Sequence, residues 1–292
     1  MIEISHLTKK YGKHVAVDDL TLNIESGKIY GFLGPNGAGK STTMNMITGY
    51  LGATSGTIKI DGEDIFENPE KARMKIGYLP ELPPLYQEMM VEEYLYFAAE
   101  LKKIAKKERK AAVEEAMELT GVDEVSGRLI KNLSKGYKQR VGLAQAILGY
   151  PEVIILDEPT VGLDPKQIIE MRELIKKLGE NHTVILSSHI MQEISAVCEY
   201  VFIISKGKLV AADTLENLEN MNMPNKTFEV EIKGDRSTAE KMLEVMGQLR
   251  SFEIEETSEG YSKIKIHYGK DKSLEDVFLE LTEGGESDAG DL

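Results

Sequence analysis

The feature that most constrains this chain is the run Gly34-Pro35-Asn36-Gly37-Ala38-Gly39-Lys40-Ser41. It follows the apolar segment Ile29 to Leu33, which reads as a buried strand, and it leads into Thr42 to Ile47, which reads as the first turns of a helix. Strand, glycine loop and helix in that order form an anion cradle. The glycines let successive backbone N–H groups turn inward, and the helix adds the positive end of its dipole. Lys40 supplies a point charge for the β and γ phosphates, and Ser41 a hydroxyl for Mg2+. The loop implies a bound nucleoside triphosphate, and the other segments have to show what the triphosphate drives.

Upstream of the loop, apolar and polar positions alternate through Ile2, Ile4 and Leu7, then Val15 and Val17, then Leu20, Leu22 and Ile24, the period of half-buried antiparallel strands. Tyr11 lies between the first two of these strands and fits either an ordinary strand-end aromatic or a ring that stacks on a purine base. Downstream, Thr57 to Ile60 and the turn pair Asp61-Gly62 read as a strand entering a hairpin. Ile76 to Leu79 is a further short strand, stopped by Pro80-Glu81 and then Pro83-Pro84. From Val91 to about Tyr150 the pattern is helical, with Tyr94, Phe97, Ala98 and Leu101 recurring at three and four. The basic run Lys102 to Lys110 is diluted by Glu100, Glu108 and Glu114 and reads as a solvated face.

Two strands then carry chemistry to one place. Val153 to Leu156 is fully apolar and ends in Asp157-Glu158, and Thr183 to Ser187 ends at Ser188-His189. Strands apolar on both faces belong inside a parallel sheet, and ligands bind beyond the carboxyl ends of such strands. Asp157, Glu158 and His189 should therefore emerge beside the phosphate loop. Asp157 suits the Mg2+ shell, and Glu158 can orient or deprotonate a water aimed at the γ-phosphate.

From Met221 the texture changes. Residues 222–225 read as a linker, residues 226–283 as a small β-α-β-β-α unit, and residues 284–292 as a disordered acidic, glycine-rich tail. The fold class is accordingly α/β for residues 1–221, with a helical part at about 88–150, followed by a small α+β domain. Across all 292 residues, 49 acidic side chains outnumber 35 basic ones, a net charge of −14 that disfavours a nucleic-acid partner. The single cysteine, Cys198, excludes an internal disulfide framework and fits a reducing compartment. No run approaches the ~20 apolar residues of a membrane span, and Met1-Ile2-Glu3-Ile4 lacks the blocks of a signal peptide.

Taken in order, the segments GPNGAGKST (34–42), LSKGYKQR (133–140), VIILDEPT (153–160), GLDP (162–165) and His189 resemble the ATP-binding cassette ATPases, over residues 1 to about 220. The resemblance implies the P-loop fold of that family: a mixed sheet, an antiparallel β subdomain and a helical subdomain. It implies ATP and Mg2+ as cofactors and assigns roles residue by residue. Tyr11 would stack on adenine; Gly34 to Thr42 would hold the phosphates; Ser41 and Asp157 would serve the metal; Lys40, Glu158 and His189 would act in hydrolysis. Ser134 and Gly136 would reach the γ-phosphate held by another subunit, and Asp164 would link the two sites.

Two segments depart from the family pattern. Glu81 stands where glutamine is usual, adding a negative charge to the expected metal shell, and Lys135-Gly136-Tyr137 replaces Gly-Gly-Gln in the signature. The resemblance further implies a head-to-tail pair of copies around two ATP, and an integral-membrane permease that holds the pair at the cytoplasmic face of the membrane. With its small C-terminal unit, regulatory or dimer-stabilising in such proteins, the chain looks like the ATPase subunits of drug, antibiotic or lipid exporters. A soluble cassette ATPase acting on ribosomes or DNA is the alternative, and a small-molecule kinase would leave the signature segment unexplained.

Overall fold

The computed structural model describes residues 1–220, 226–233, 249–256, 261–268 and Phe278. The chain divides into two compact units, Met1–Thr214 and Leu215–Leu292. The segments expected as linker (222–225) and acidic tail (284–292) lie outside the described residues.

The first unit opens with β1 (Ile2–Tyr11) and β2 (His14–Ile24), an antiparallel pair. The phosphate loop connects β3 (Ile29–Leu33) to α1 (Lys40–Ile47). Next come β4 (Ser55–Ile60) and β5 (Glu63–Asp64), joined through Asp61 (φ 47°) and Gly62 (φ 79°), the left-handed pair that a tight hairpin requires. A short α2 (Pro69–Met74), which the apolar pattern does not announce, leads to β6 (Ile76–Leu79). The helical region holds three α-helices, α3 (Val91–Leu101), α4 (Arg109–Thr120) and α5 (Lys135–Ile147), with short 3-10 turns at Asp123–Val125 and Ile130–Asn132 between the last two. Lys103 (φ 60°) follows the end of α3, and Gly121 (φ 65°) terminates α4 as a left-handed cap. The unit continues through β7 (Val153–Asp157), α6 (Pro165–Gly179), β8 (Thr183–Ser188), α7 (Met191–Val197), β9 (Tyr200–Ser205) and β10 (Lys208–Thr214).

The strands sort into two sheets. A four-stranded antiparallel sheet runs β2-β1-β4-β5, and its alternation buries Ile2, Ile4, Leu22, Ile24, Ile58 and Ile60 in one core. A six-stranded sheet runs β10-β9-β3-β8-β7-β6, parallel except for β10 at its edge. Every residue of β3, β7 and β8 is buried, as expected of central parallel strands with both faces covered. Registers Leu33↔Ser188 and Asp157↔Ser187 bring the ends of these three strands level. The phosphate loop, Glu158 and His189 therefore leave the sheet at the same edge, the usual ligand side of a parallel sheet.

Two partly buried polar contacts join the helical region internally. Lys102 Nζ donates to Ala146 O and Leu148 O, both at 2.7 Å, tying the residue after α3 to the C-terminus of α5. Burial pushes its ammonium down to about 8, although the two carbonyls favour the charged form. Tyr94 Oη bonds Gln145 Oε1 at 2.6 Å across the same pair of helices.

In the second unit, α8 (Leu215–Asn220) precedes β11 (Lys226–Lys233), β12 (Leu249–Glu256) and β13 (Tyr261–Tyr268), which pair antiparallel in the order β11-β13-β12. β12 begins at Leu249, and the two helices expected within residues 226–283 fall almost wholly on residues outside the described set.

Candidate active site

Close packing holds the phosphate loop in shape. A Cβ at Gly34 would lie 2.4 Å from Ile204 O on β9, so that position has room for hydrogen alone. Gly39 adopts φ 104°, and a Cβ there would lie 2.5 Å from Ala16 O on β2. With Gly39 as its N-cap, α1 starts at Lys40 without a side-chain cap, so its first N–H groups remain for an anion.

Lys40 is 6 % exposed, and its Nζ donates to Gly34 O at 2.9 Å and Pro35 O at 3.3 Å. The same ammonium lies 3.3 Å from Glu158 Oε1. Ser41 Oγ donates to Asp157 Oδ1 at 3.1 Å, and Ser187 Oγ donates to that same oxygen. Ser187 also accepts the Glu158 N–H, at 3.1 Å through its carbonyl and 3.2 Å through its hydroxyl. Glu158 has φ 48°, which turns its side chain out of the strand direction at a cost of about 1–3 kcal/mol. Its Oε2 meets His189 Nδ1 at 2.9 Å. The candidate general base is thus held between a lysine and a histidine.

Tyr11, Lys40, Ser41, Glu81, Glu158 and His189 line one cavity of about 530 Å3, together with Asn36, Gly37, Gly39 and Thr42. Asp157 meets it through Ser41 and lines an adjoining cavity of about 620 Å3, whose wall also includes Glu81. Gly34, Pro35 and Ala38 of the loop do not line the first cavity, and neither do Ser134 and Gly136. Instead, exposed Ser134 caps α5 by accepting the Tyr137 N–H at 3.4 Å, and Asp164 caps α6 by accepting the Gln167 N–H at 2.9 Å. Gly136 is pressed against the Gln167 side chain, 2.7 Å from where a Cβ would be, and Lys135 Nζ abuts Gly162.

No three His, Cys, Asp or Glu side chains converge on a metal position among the described residues. Mg2+ demands less, because it keeps waters and phosphate oxygens in its shell and takes one or two protein ligands. The Ser41 hydroxyl and Asp157 carboxylate, side by side at the loop, fit that requirement. Ser187, which fastens Asp157 to the Glu158 backbone, has no signal in the sequence, because it looks like any residue of a buried strand.

The cavity is large enough for a nucleotide, and its basic, hydroxyl and acidic groups are spaced for phosphoryl transfer to water. A family model described as ABC transporter matches residues 17–161. The bacitracin transport ATP-binding protein BcrA of Bacillus licheniformis is 38 % identical over 282 residues, 96 % of this chain and 90 % of that protein. The lantibiotic transport ATP-binding protein SrtF of Streptococcus pyogenes is 35 % identical over 76 % of this chain and 94 % of its own length. Among solved structures, a dimeric ATP-binding cassette in a post-hydrolysis state bound to ADP and Pi superposes with a TM-score of 0.67 at 26 % identity, covering 74 % of this chain and 99 % of that one. On this site, this fold and these relatives, the chain belongs to the ABC transporter family as an ATP-binding subunit that hydrolyses ATP.

Proposed function

We propose that this chain is the energy-coupling subunit of an exporter, in which two copies close head to tail around two ATP and drive a separate membrane permease. The observation that carries the reading is the gathering of Lys40, Ser41, Glu158 and His189 on one cavity while Ser134 faces solvent away from it. A signature serine outside its own chain's pocket is what completion by a second copy requires. When ATP enters, Lys40 exchanges Glu158 and the loop carbonyls for the β and γ phosphates. Glu158 is then freed to take a proton from water as the water attacks the γ-phosphorus and the bond to the β-phosphate breaks, with His189 orienting the carboxylate. Ser41 and Asp157, with Glu81 on the same cavity walls, would hold Mg2+, which would supply charge neutralisation on the phosphates. Tyr11, half-exposed on the cavity wall, serves the adenine.

The adjoining cavity suits the permease. Its wall includes Tyr50 and Leu82, 84 % and 74 % exposed, beside Pro83 and Pro84, an apolar surface of the kind that marks interaction sites. No helix among the described residues is long and apolar enough to cross a membrane. In this reading movement across the membrane falls to a separate chain, and this chain sits against its cytoplasmic side. Relatives named for bacitracin and lantibiotic transport favour an antibiotic-like cargo. The three-stranded unit after Thr214 is a dimer-stabilising or regulatory extension. The net charge of −14 gives the ribosome or DNA alternative no support. The test is to express the chain with its membrane partner and replace Tyr50 and Leu82 by Asp. Loss of the chain from the membrane fraction with ATP binding retained is expected, and undiminished membrane association would place the permease elsewhere.

A further inference from the structure

The last ladder bond between β7 and β8 is Glu158 N–H to Ser187 O, and past it the sheet no longer ties the segment after Glu158 to the segment that carries His189. A second buried device joins them there. Glu193, in the first turn of α7 and 2 % exposed, accepts from Ser188 Oγ at 2.7 Å with one carboxylate oxygen and from Thr160 Oγ1 with the other. Thr160 and Ser188 are themselves 4 % and 0 % exposed. Ser188 Oγ also accepts the Ile190 N–H at 3.0 Å, so the backbone on both sides of His189 is fastened to the same carboxylate.

We propose that Glu193 is a positioning residue for ATP hydrolysis: its carboxylate clamps Thr160, two residues beyond Glu158, to Ser188, next to His189, and so sets the Glu158–His189 geometry. Burying a carboxylate whose partners are two hydroxyls rather than a cation is costly, and the start of α7 offsets only part of that cost. A carboxylate is suited to the task because it is acceptor-only on both oxygens, so two hydroxyl donors from different segments can be held at one fixed separation. Glu158 at φ 48° is a conformation that persists only where its surroundings over-determine it, and the turn from Glu158 to Thr160 is what the clamp immobilises. The inference rests on ATP hydrolysis alone and stands apart from the permease reading.

The experiment is steady-state ATP hydrolysis by the purified full chain, with thermal unfolding and nucleotide affinity measured in parallel. Glu193→Ala lowers kcat by about 30-fold or more while KM moves by less than about threefold, the signature of lost alignment rather than lost binding. Glu193→Gln, which keeps the shape and one acceptor oxygen, recovers kcat to within about fivefold of the parent. Thr160→Val, of equal volume without the hydroxyl, shows the same split, and adding it to Glu193→Ala costs nothing further. If Glu193→Ala does not fold, Thr160→Val and Glu193→Gln decide. Unchanged kcat in Thr160→Val, or a Glu193→Gln enzyme that loses kcat and KM together, overturns the assignment.

Discussion

The contact between Lys40 and Glu158 gives the sharpest quantitative prediction. The two side chains are 6 % and 8 % exposed and their charges lie 3.3 Å apart, which at an effective dielectric constant of ~20 corresponds to about 5 kcal/mol of attraction. Lys40→Met keeps the length of the side chain and removes the charge. Glu158 would then keep the His189 ring nitrogen, 2.9 Å away on a side chain 38 % exposed, as its side-chain hydrogen-bond partner among the described residues. Solvent reaching His189 relieves part of the loss, so destabilisation of about 2–4 kcal/mol is expected, at or just below the usual cost of orphaning a buried ion. The assay is urea unfolding without nucleotide, with the midpoint falling at constant m-value. Lost bonds to Gly34 O and Pro35 O contribute to the single variant, so the deciding quantity is the coupling to Glu158→Gln. That second change should restore at least ~1.5 kcal/mol in the Lys40→Met background. Additive effects, or a Lys40→Met chain as stable as its parent, would show that the pair is not held together in solution.

Three further outcomes follow from the same geometry. Gly39→Ala must put a side chain at φ 104° and 2.5 Å from Ala16 O, so the loop shifts and ATP affinity falls at least ~10-fold; isothermal titration giving parental affinity would contradict this. If Glu81 shares the Mg2+ shell, Glu81→Gln changes the Mg2+ concentration for half-maximal turnover, whereas an identical titration removes it from the shell. Lys102 has a folded pKa of about 8 against 10.5 for a free lysine, so between those values the unfolded chain binds more protons and stability rises with pH. Relative to Lys102→Met, the parent should therefore gain about 1–3 kcal/mol from pH 7.5 to 10, the carbonyls of Ala146 and Leu148 reducing the gain; a pH-independent difference would show that Lys102 is not desolvated.

Local physics explains what the sequence disclosed. The phosphate loop is legible because glycine spacing, Lys40 and Ser41 act within a few residues of one another, and β7 and β8 because a run apolar on both faces has few other homes. Asp157, Glu158 and His189 follow from those strands' ends. The helical region is less legible, since the breaks at Lys103 and Gly121 depend on left-handed backbone that apolar periodicity does not encode. α2 carries little apolar signal, and Val201 to Ile204, as apolar as its neighbours, gains meaning only as β9 beside β3. The contacts that hold the site together were out of reach for a different reason. Ser187 with Asp157 and Glu193 with Thr160 are separated by 30 and 33 residues, and only the register of β7 on β8 makes them neighbours.

The central claim, that two copies complete each other's ATP sites through Ser134, is tested most directly by sedimentation velocity of Glu158→Gln protein with and without Mg-ATP. The expected result is a monomer without nucleotide and a dimer holding one ATP per chain with it, reverting to monomer when Ser134→Arg is added although each chain still binds ATP. A Glu158→Gln chain that binds ATP and remains monomeric at every concentration, or a dimer indifferent to Ser134→Arg, would contradict it.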